Sequence, residues 1–229
     1  MTHTPRLTLR TTGDGSRTLY SERYFETFHS HKGALTESKH VFLEGTGVAE
    51  RLQRSYEVNL LEVGFGTGLN FFLTADVALK HGAELRYTAL ERDLLSAEAF
   101  ASLEYGKYLE RPDLFETFLA WRRLGQPDFE VEGVRLELLL GDATRQRLPE
   151  NRFHAVYQDA FSPNVNPELW SEAFLERLRK SLMDDGVLST YCVKGTVRRR
   201  MQALGFEVEK RAGPPGGKRE MLVARKGIW

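Results

Sequence analysis

From Val58 onward the chain alternates between two kinds of block. Short apolar runs bounded by glycine or acidic residues read as buried strands, and longer stretches with apolar residues three and four apart read as helices packed against them. The pattern predicts strands over 58–63, 85–91, 134–140, 154–159 and 187–193. It predicts helices near 69–81, 96–109, 112–124, 167–183 and 196–204, the last closed by Gly205. Leu114, Phe115, Phe118, Leu119 and Trp121 form one apolar stripe, and Trp170, Phe174, Leu178 and Leu182 another. Two further strands, 206–211 and 220–226, flank a GPPGG loop. Strand–helix repetition requires a parallel sheet with right-handed crossovers. The expected fold is α/β, a doubly wound, seven-stranded, mostly parallel sheet.

Residues 1–57 do not share this rhythm. RLTLRTT and RTLYS surround Gly13-Asp14-Gly15 and read as a hairpin, while SERYFETFHSHKGALTESKHVFLEG is rich in aromatic and polar residues with no clean period. No low-complexity linker separates the two parts. Residues 1–57 are therefore expected to be an N-terminal β/loop extension, a lid or cover on the main domain at 58–229.

Composition adds exclusions. Apolar residues make up 41% and charged residues 28%, values of an ordinary globular protein. The N-terminus has no apolar signal-peptide region and no run is long enough to span a bilayer, so a cytoplasmic protein with no membrane partner is expected. A single cysteine, Cys192, excludes an internal disulfide and a cysteine-based metal cluster. The net charge is zero but unevenly spread: from Lys194 to Trp229 ten Lys or Arg face three Glu.

The chemistry gathers at strand tips, where open parallel sheets bind ligands. After 58–63 come three glycines at alternate positions, Gly64, Gly66 and Gly68, before a helix begins at Leu69. Bare backbone there admits a ligand, with Gly66 expected at the closest approach, and the amides opening the helix face polar groups. The third glycine comes one residue too early for the dinucleotide fingerprint. An acid inside the strand, Glu62, followed by G-x-G-x-G is instead similar to S-adenosylmethionine-dependent methyltransferases. Strand two ends in Glu91, suited to accept the hydroxyls of a ribose. Strand three leads to Asp142, suited to an adenine amino group, and strand four ends in Asp159. Three acids at successive strand tips behind a glycine turn are more specific than the turn alone.

The segment Asp159-Ala160-Phe161-Ser162-Pro163 holds an acid, an aromatic and a proline, the ingredients of amine methylation: a carboxylate for the nitrogen and a ring for a base to stack on. Phe161 reads equally well as a core aromatic. Asn166 and Pro167 read as the N-cap and first residue of the next helix. Cys192 lies inside an apolar strand without a neighbouring base, so packing rather than covalent catalysis is expected. The six histidines show no metal spacing, and no metal is expected.

LEVGFGTGLNF, DAFSPNVNPELW, GTVRRRMQALGF and GGKREMLVA, with LYSERYFETFHSHKGALTESKHVFLEG, resemble the methyltransferase of wobble-uridine modification in tRNA, over nearly the whole chain. The resemblance implies a class I, Rossmann-like methyltransferase domain over 58–229, with S-adenosyl-L-methionine as cofactor. Its implied reaction is methylation of the aminomethyl nitrogen of 5-aminomethyl(-2-thio)uridine at the wobble position. Glu62, Gly64, Gly66, Thr67, Gly68, Asn70, Glu91, Asp142 and Asp159 are then the expected cofactor-binding residues, with Asp159 and Phe161 catalytic. In many bacteria this domain is fused to an FAD-dependent oxidoreductase. No FAD domain follows in this sequence, so a stand-alone enzyme is expected.

If 206–211 runs parallel to the core strands, Lys194, Arg198, Arg199, Arg200, Lys210, Arg211, Lys218 and Arg219 all fall on the ligand-binding rim. Basic residues so gathered suit the phosphates of tRNA. Two rivals share the fold: an aminopropyltransferase, whose polyamine site would call for an acidic rim, and a non-catalytic RNA-binding adaptor, which the intact acids argue against.

Overall fold

The computed structural model describes residues 6–126 and 128–227. The ends of the two expected regions, residues 1–5 and 228–229, lie outside the described residues. β4 (Val58–Val63) is the sheet's organising strand, and alternate side chains along it feed two different cores. Val58 and Leu60 pack with α3 (Leu69–His81) and α5 (Pro112–Leu124), whereas Leu61 and Val63 pack with α6 (Glu172–Ser181) and α7 (Gly195–Ala203). A strand covered on both faces reads as continuous apolar sequence, as this one does.

Beside β4 stand β5 (Leu85–Glu91), β7 (Val134–Leu140), β8 (Phe153–Gln158) and β9 (Leu182–Thr190), all parallel to it. β10 (Phe206–Ala212) and β11 (Glu220–Lys226) close one edge as an antiparallel hairpin, with β11 against β9, so β10 points the same way as the core strands. The chain winds outward from β4 through β5 to β7, then crosses back to lay β8 on the other side of β4. That reversal opens a crevice at the carboxyl ends of β4 and β8.

The expected seven-stranded sheet has an eighth strand, β6 (Phe129–Val131), which pairs antiparallel with β7. The turn between them is Glu132-Gly133, both with positive φ. This is a two-residue hairpin turn in which Glu takes the place of the more usual Asn or Asp, which hid it from the sequence pattern. The expected helix over 96–109 is broken. α4 (Ala97–Leu103) ends at Glu104, which has φ +53, and a 3-10 turn, Tyr105–Tyr108, follows. The expected helix over 167–183 divides likewise into a 3-10 turn, Pro167–Trp170, and α6. The cap of α6 is Ser171, whose hydroxyl accepts from Phe174 N, whereas Asn166 opens only the short turn and makes no side-chain cap bond.

The N-terminal part forms its own three-stranded sheet: β1 (Leu7–Thr11), β2 (Arg17–Ser21) and β3 (Glu26–Thr27). Two short helices, α1 (Ala34–Glu37) and α2 (Val48–Gln53), follow, joined by a π-helical stretch over Ser38–Glu44. Wider-than-α turns explain why this segment shows no helical period. Under the glycine turn lies an aromatic core. Phe118 meets Phe65, Phe71, Phe72, Phe100, Trp121 and Phe129 with ring centroids 5.0–6.2 Å apart. Phe118→Ala is expected to cost about 3–5 kcal/mol of stability in urea unfolding. A loss below about 1 kcal/mol would mean that this cluster does not hold the helix layer to the sheet.

Candidate active site

The crevice is a cleft of about 1040 Å³. That is at the upper end for small-molecule sites and leaves room for two ligand groups side by side. Glu91, Asp142 and Asp159, the three strand-tip acids, all line it, as do Gly64, Gly66, Thr67 and Phe161. Leu90, Leu95 and Ala143 give it apolar walls.

The glycine turn is shaped by protein as much as by any ligand. Gly64, at φ +90, brings the end of β4 against the end of β8, and a Cβ there would lie 3.0 Å from the Asp159 carbonyl oxygen. Gly66, at φ +53, faces the Phe28 ring, which a Cβ would meet at 2.9 Å. Gly66 lines the cleft, and the Phe28 ring stands beside it, so a side chain at this position would meet Phe28 first. The Glu91 carboxylate accepts the amides of Gly66 at 2.8 Å and Asp93 at 2.9 Å, tying the turn to the tip of β5. Burial raises its pKa. Asp142 accepts both the amide and the hydroxyl of Thr144, at 2.9 and 2.7 Å, and these bonds hold it below the usual carboxylate range.

Asp159 sits at the end of a polar chain running back into the sheet. The Asn70 side-chain amide donates at 2.8 Å to Asp159 Oδ2 and at 2.8 Å to Glu62 Oε1. Glu62 Oε2 accepts from the Tyr87 hydroxyl at 2.9 Å. Glu62 is fully buried, and desolvation pushes its pKa up to about 8. Asp159 is raised too, first by burial and then by the charges of Glu62 and Glu37. The two carboxyls titrate as a pair, and near neutrality the pair keeps a proton. Glu62 is the more enclosed of the two, whereas Asp159 meets the cleft.

Glu62 and Asn70, expected to touch a cofactor, do not line the cleft; they stand behind it and hold Asp159. Gly68, expected in the same set, is the left-handed N-cap of α3, at φ +74, and lies off the lining too. Cys192 is buried in the core beside α7, and burial pushes its thiol up, so it packs and is no ready nucleophile.

Sequence reasoning expected a lid or cover but named none of its residues in the site. Tyr24 and Phe28 hold Phe161 between them, with centroids 4.5 and 5.2 Å away. Glu26 accepts both the amide and the hydroxyl of Ser162, at 3.1 and 2.6 Å. His29 is buried between Thr18, at 3.0 Å, and Thr67 of the glycine turn, at 3.4 Å, and burial pushes its pKa down to about 4, leaving it neutral. Glu37, Tyr191 and Lys218 also line the cleft, with the Lys218 ammonium 4.0 Å from the Tyr191 ring centre. These residues are scattered through sequence without period, and only the fold brings them together.

The expected basic rim divides. Lys210 pairs with Glu220 and Arg211 with Glu209, each at 2.8 Å, and Arg200 donates to the Trp170 carbonyl at 2.9 Å. Lys194 donates to Asn164 Oδ1 at 2.7 Å. Among the described residues, Lys194, Arg198, Arg199, Lys218 and Arg219 form no salt bridge. Also among the described residues, no helix is long and apolar enough to cross a membrane, and no group of three or more His, Cys, Asp or Glu is placed to hold a metal.

A family model described as S-adenosyl-L-methionine-dependent methyltransferase matches residues 110–227, just over half of the chain. The tRNA 5-methylaminomethyl-2-thiouridine biosynthesis bifunctional protein MnmC of Cupriavidus metallidurans is 35% identical over 224 residues, covering 93% of this chain and 33% of that protein. The chain thus spans about a third of the length of the curated relatives it matches. The crystal structure of MNMC2 from Aquifex aeolicus superposes with a TM-score of 0.82 at 29% identity, over 98% of this chain and 72% of that one. A probable spermidine synthase from Corynebacterium glutamicum, at 14% identity and TM-score 0.55 over 99% of this chain and 79% of that one, shares the fold alone.

The raised pKa of Glu62 has a signed consequence. Between the ordinary value of 4.5 and about 8 the folded state holds a proton that the unfolded state has lost, so stability falls as pH rises through that window. Glu62→Gln cannot lose this proton. Denaturant unfolding of the variant across the window should show a flatter dependence on pH than the wild type, and identical slopes would mean that Glu62 is ionised in the fold.

Proposed function

This chain belongs to the S-adenosyl-L-methionine-dependent methyltransferases, and from that premise we propose that it methylates the aminomethyl nitrogen of 5-aminomethyl(-2-thio)uridine at the wobble position of tRNA. Residues 58–229 act as the methyltransferase domain and residues 1–57 as its cover. The observation that carries the amine reading is the Asp159 carboxyl, held by Asn70 in the cleft wall two residues from the clamped ring of Phe161. Relatives named for biosynthesis of tRNA 5-methylaminomethyl-2-thiouridine support the nucleoside. A tRNA substrate fits a cytoplasmic enzyme.

When bound, the cofactor supplies a methyl group activated on a sulfonium. The donor set fits it: Glu91 offers a buried carboxylate for ribose hydroxyls, Asp142 an acceptor for an adenine amine, and Gly64–Thr67 a backbone edge along an apolar wall. The protein's own work concerns the acceptor. A primary alkylamine is mostly protonated in neutral water, and an ammonium has no lone pair with which to attack. Asp159 is suited to take up that proton, since its raised pKa makes it a stronger base than an ordinary carboxylate. Glu62, by keeping its proton, prevents a second charge from building behind Asp159. Phe161, fixed by Tyr24 and Phe28, gives the cleft an apolar wall beside Asp159 against which a pyrimidine is positioned, so that the nitrogen is aligned with the methyl. The aminopropyltransferase and adaptor readings are not favoured: the first rests on fold alone, and the second gives the Glu62–Asn70–Asp159 chain no task.

Incubation with labelled cofactor and tRNA bearing 5-aminomethyluridine, followed by digestion, should place the label in 5-methylaminomethyluridine. Label in another nucleoside, or none, would overturn the reading. Asp159→Ala should retain cofactor affinity while single-turnover transfer falls by about 10²-fold or more. A near-normal rate for Asp159→Asn would eliminate proton uptake by this residue.

Binding of tRNA should depend on those C-terminal cations that form no salt bridge among the described residues. Replacing Lys194, Arg199 and Arg219 with Ala should weaken affinity and reduce the salt slope by about one unit for each phosphate the protein no longer neutralises, while Lys210→Ala should change it little. Equal slopes for the triple variant and the wild type would place the RNA elsewhere.

A further inference from the structure

Phe25 stands out in the cleft mouth on two independent counts. It is 79% exposed, and its backbone sits at φ +54. A bulky side chain in the left-handed region is an outlier, since that region favours Gly, Asn or Asp, and such strain persists only where the surroundings enforce it. Here the enforcers flank it. Tyr24 is turned inward onto Phe161, with centroids 4.5 Å apart, and Glu26 is turned inward onto the Ser162 amide and hydroxyl. With both neighbours anchored to the substrate-side loop, the left-handed residue between them puts its ring out at the mouth, where it lines the cleft without a ring partner among the described residues. A glycine or asparagine would fit this turn without strain, and neither offers a flat apolar face.

We propose that Phe25 is a stacking platform for an unpaired nucleobase next to the one being modified. The proposal rests on the tRNA reading above. An RNA base that enters a cleft must leave its stack, and so must its neighbours part. Exposed aromatic rings beside such sites take up the freed faces, without regard to base identity. Lys218, which forms no salt bridge among the described residues, lines the same mouth and suits an adjoining phosphate, whereas Arg23 there is paired with Asp93 at 2.5 Å. The cover is thus a second RNA-contacting element besides the C-terminal rim, and it acts by stacking where the rim acts by charge.

The test compares wild type, Phe25→Asn and Phe25→Trp. Asn keeps the left-handed turn and removes the ring, so urea unfolding should show it no less stable than the wild type, and calorimetry should show unchanged affinity for S-adenosyl-L-methionine. Its affinity for tRNA should fall roughly tenfold with the salt slope unchanged, because removing a stacked ring leaves the phosphate neutralisation as it was. Phe25→Trp should restore affinity. Wild-type tRNA affinity in Phe25→Asn would overturn the stacking role alone. So would a changed salt slope, or a loss of affinity for S-adenosyl-L-methionine, which would show the ring to serve the cover's structure. Absence of tRNA binding by the wild type would defeat the functional reading itself, and this proposal with it.

Discussion

Everything at the centre of this molecule depends on one amide. Adjacent parallel strands β4 and β8 bring two acids, Glu62 and Asp159, into the same buried space, where two full charges would repel each other with little solvent to screen them. Asn70 resolves the conflict by donating one hydrogen to each carboxyl, at 2.8 Å. Its position follows from the glycine turn. Gly64 lets β4 end against the backbone of Asp159, Gly68 caps α3, and the first turn of that helix then places Asn70 over both acids. The Tyr87 hydroxyl completes the chain from β5. The network depends on strand ends, turn and helix start sitting together: both Asn70 amide hydrogens are used, while its Oδ1 is buried without a partner among the described residues.

The cover is tied to the same turn. Phe28 lies 2.9 Å from where a Cβ on Gly66 would be, and His29 reaches Thr67, whose hydroxyl also accepts from Tyr105 at 3.0 Å. Beyond the turn, Tyr24 and Glu26 fix the loop that follows Asp159. The cleft is thus built on one side by strand tips, which hold fixed acids, and on the other by a segment of irregular backbone, which brings rings and hydrogen-bond acceptors. The two sides divide the work: carboxylates for hydroxyls, amines and protons, aromatic faces for a base.

Much of this was legible in the sequence because strands and their tips follow local rules. The apolar runs marked four core strands to within a residue at each end, whereas β9 begins at Leu182 and ends at Thr190 against an expected 187–193; the acids at Glu91, Asp142 and Asp159 do meet in one cleft. The stripe at 112–124 is buried as its spacing requires. What escaped lies in long-range geometry. Glu62 carries the right acid for a ligand contact, but a strand buried on both faces leaves its side chain no route to the cleft. Lys210 and Arg211 come near the end of β10, yet Glu220, opposite Ala212 on the paired strand, and Glu209, two residues back, take their charge. The cover's role was hidden because π-helical turns and single positive-φ residues leave no period, and because Tyr24, Phe28 and Phe161 become neighbours only after folding.

The central claim is that the Glu62–Asp159 pair holds one proton at neutral pH. Infrared spectroscopy reads this directly, since the C=O stretch of a protonated carboxyl is well separated from carboxylate bands. At pH 7 the difference spectrum between wild type and Glu62→Gln should contain the band of a neutral, hydrogen-bonded carboxyl, fading only as pH rises through about 8. A difference spectrum at pH 7 in which only carboxylate bands disappear would contradict the claim, for Glu62 would then be charged in the fold, with a second charge standing behind Asp159.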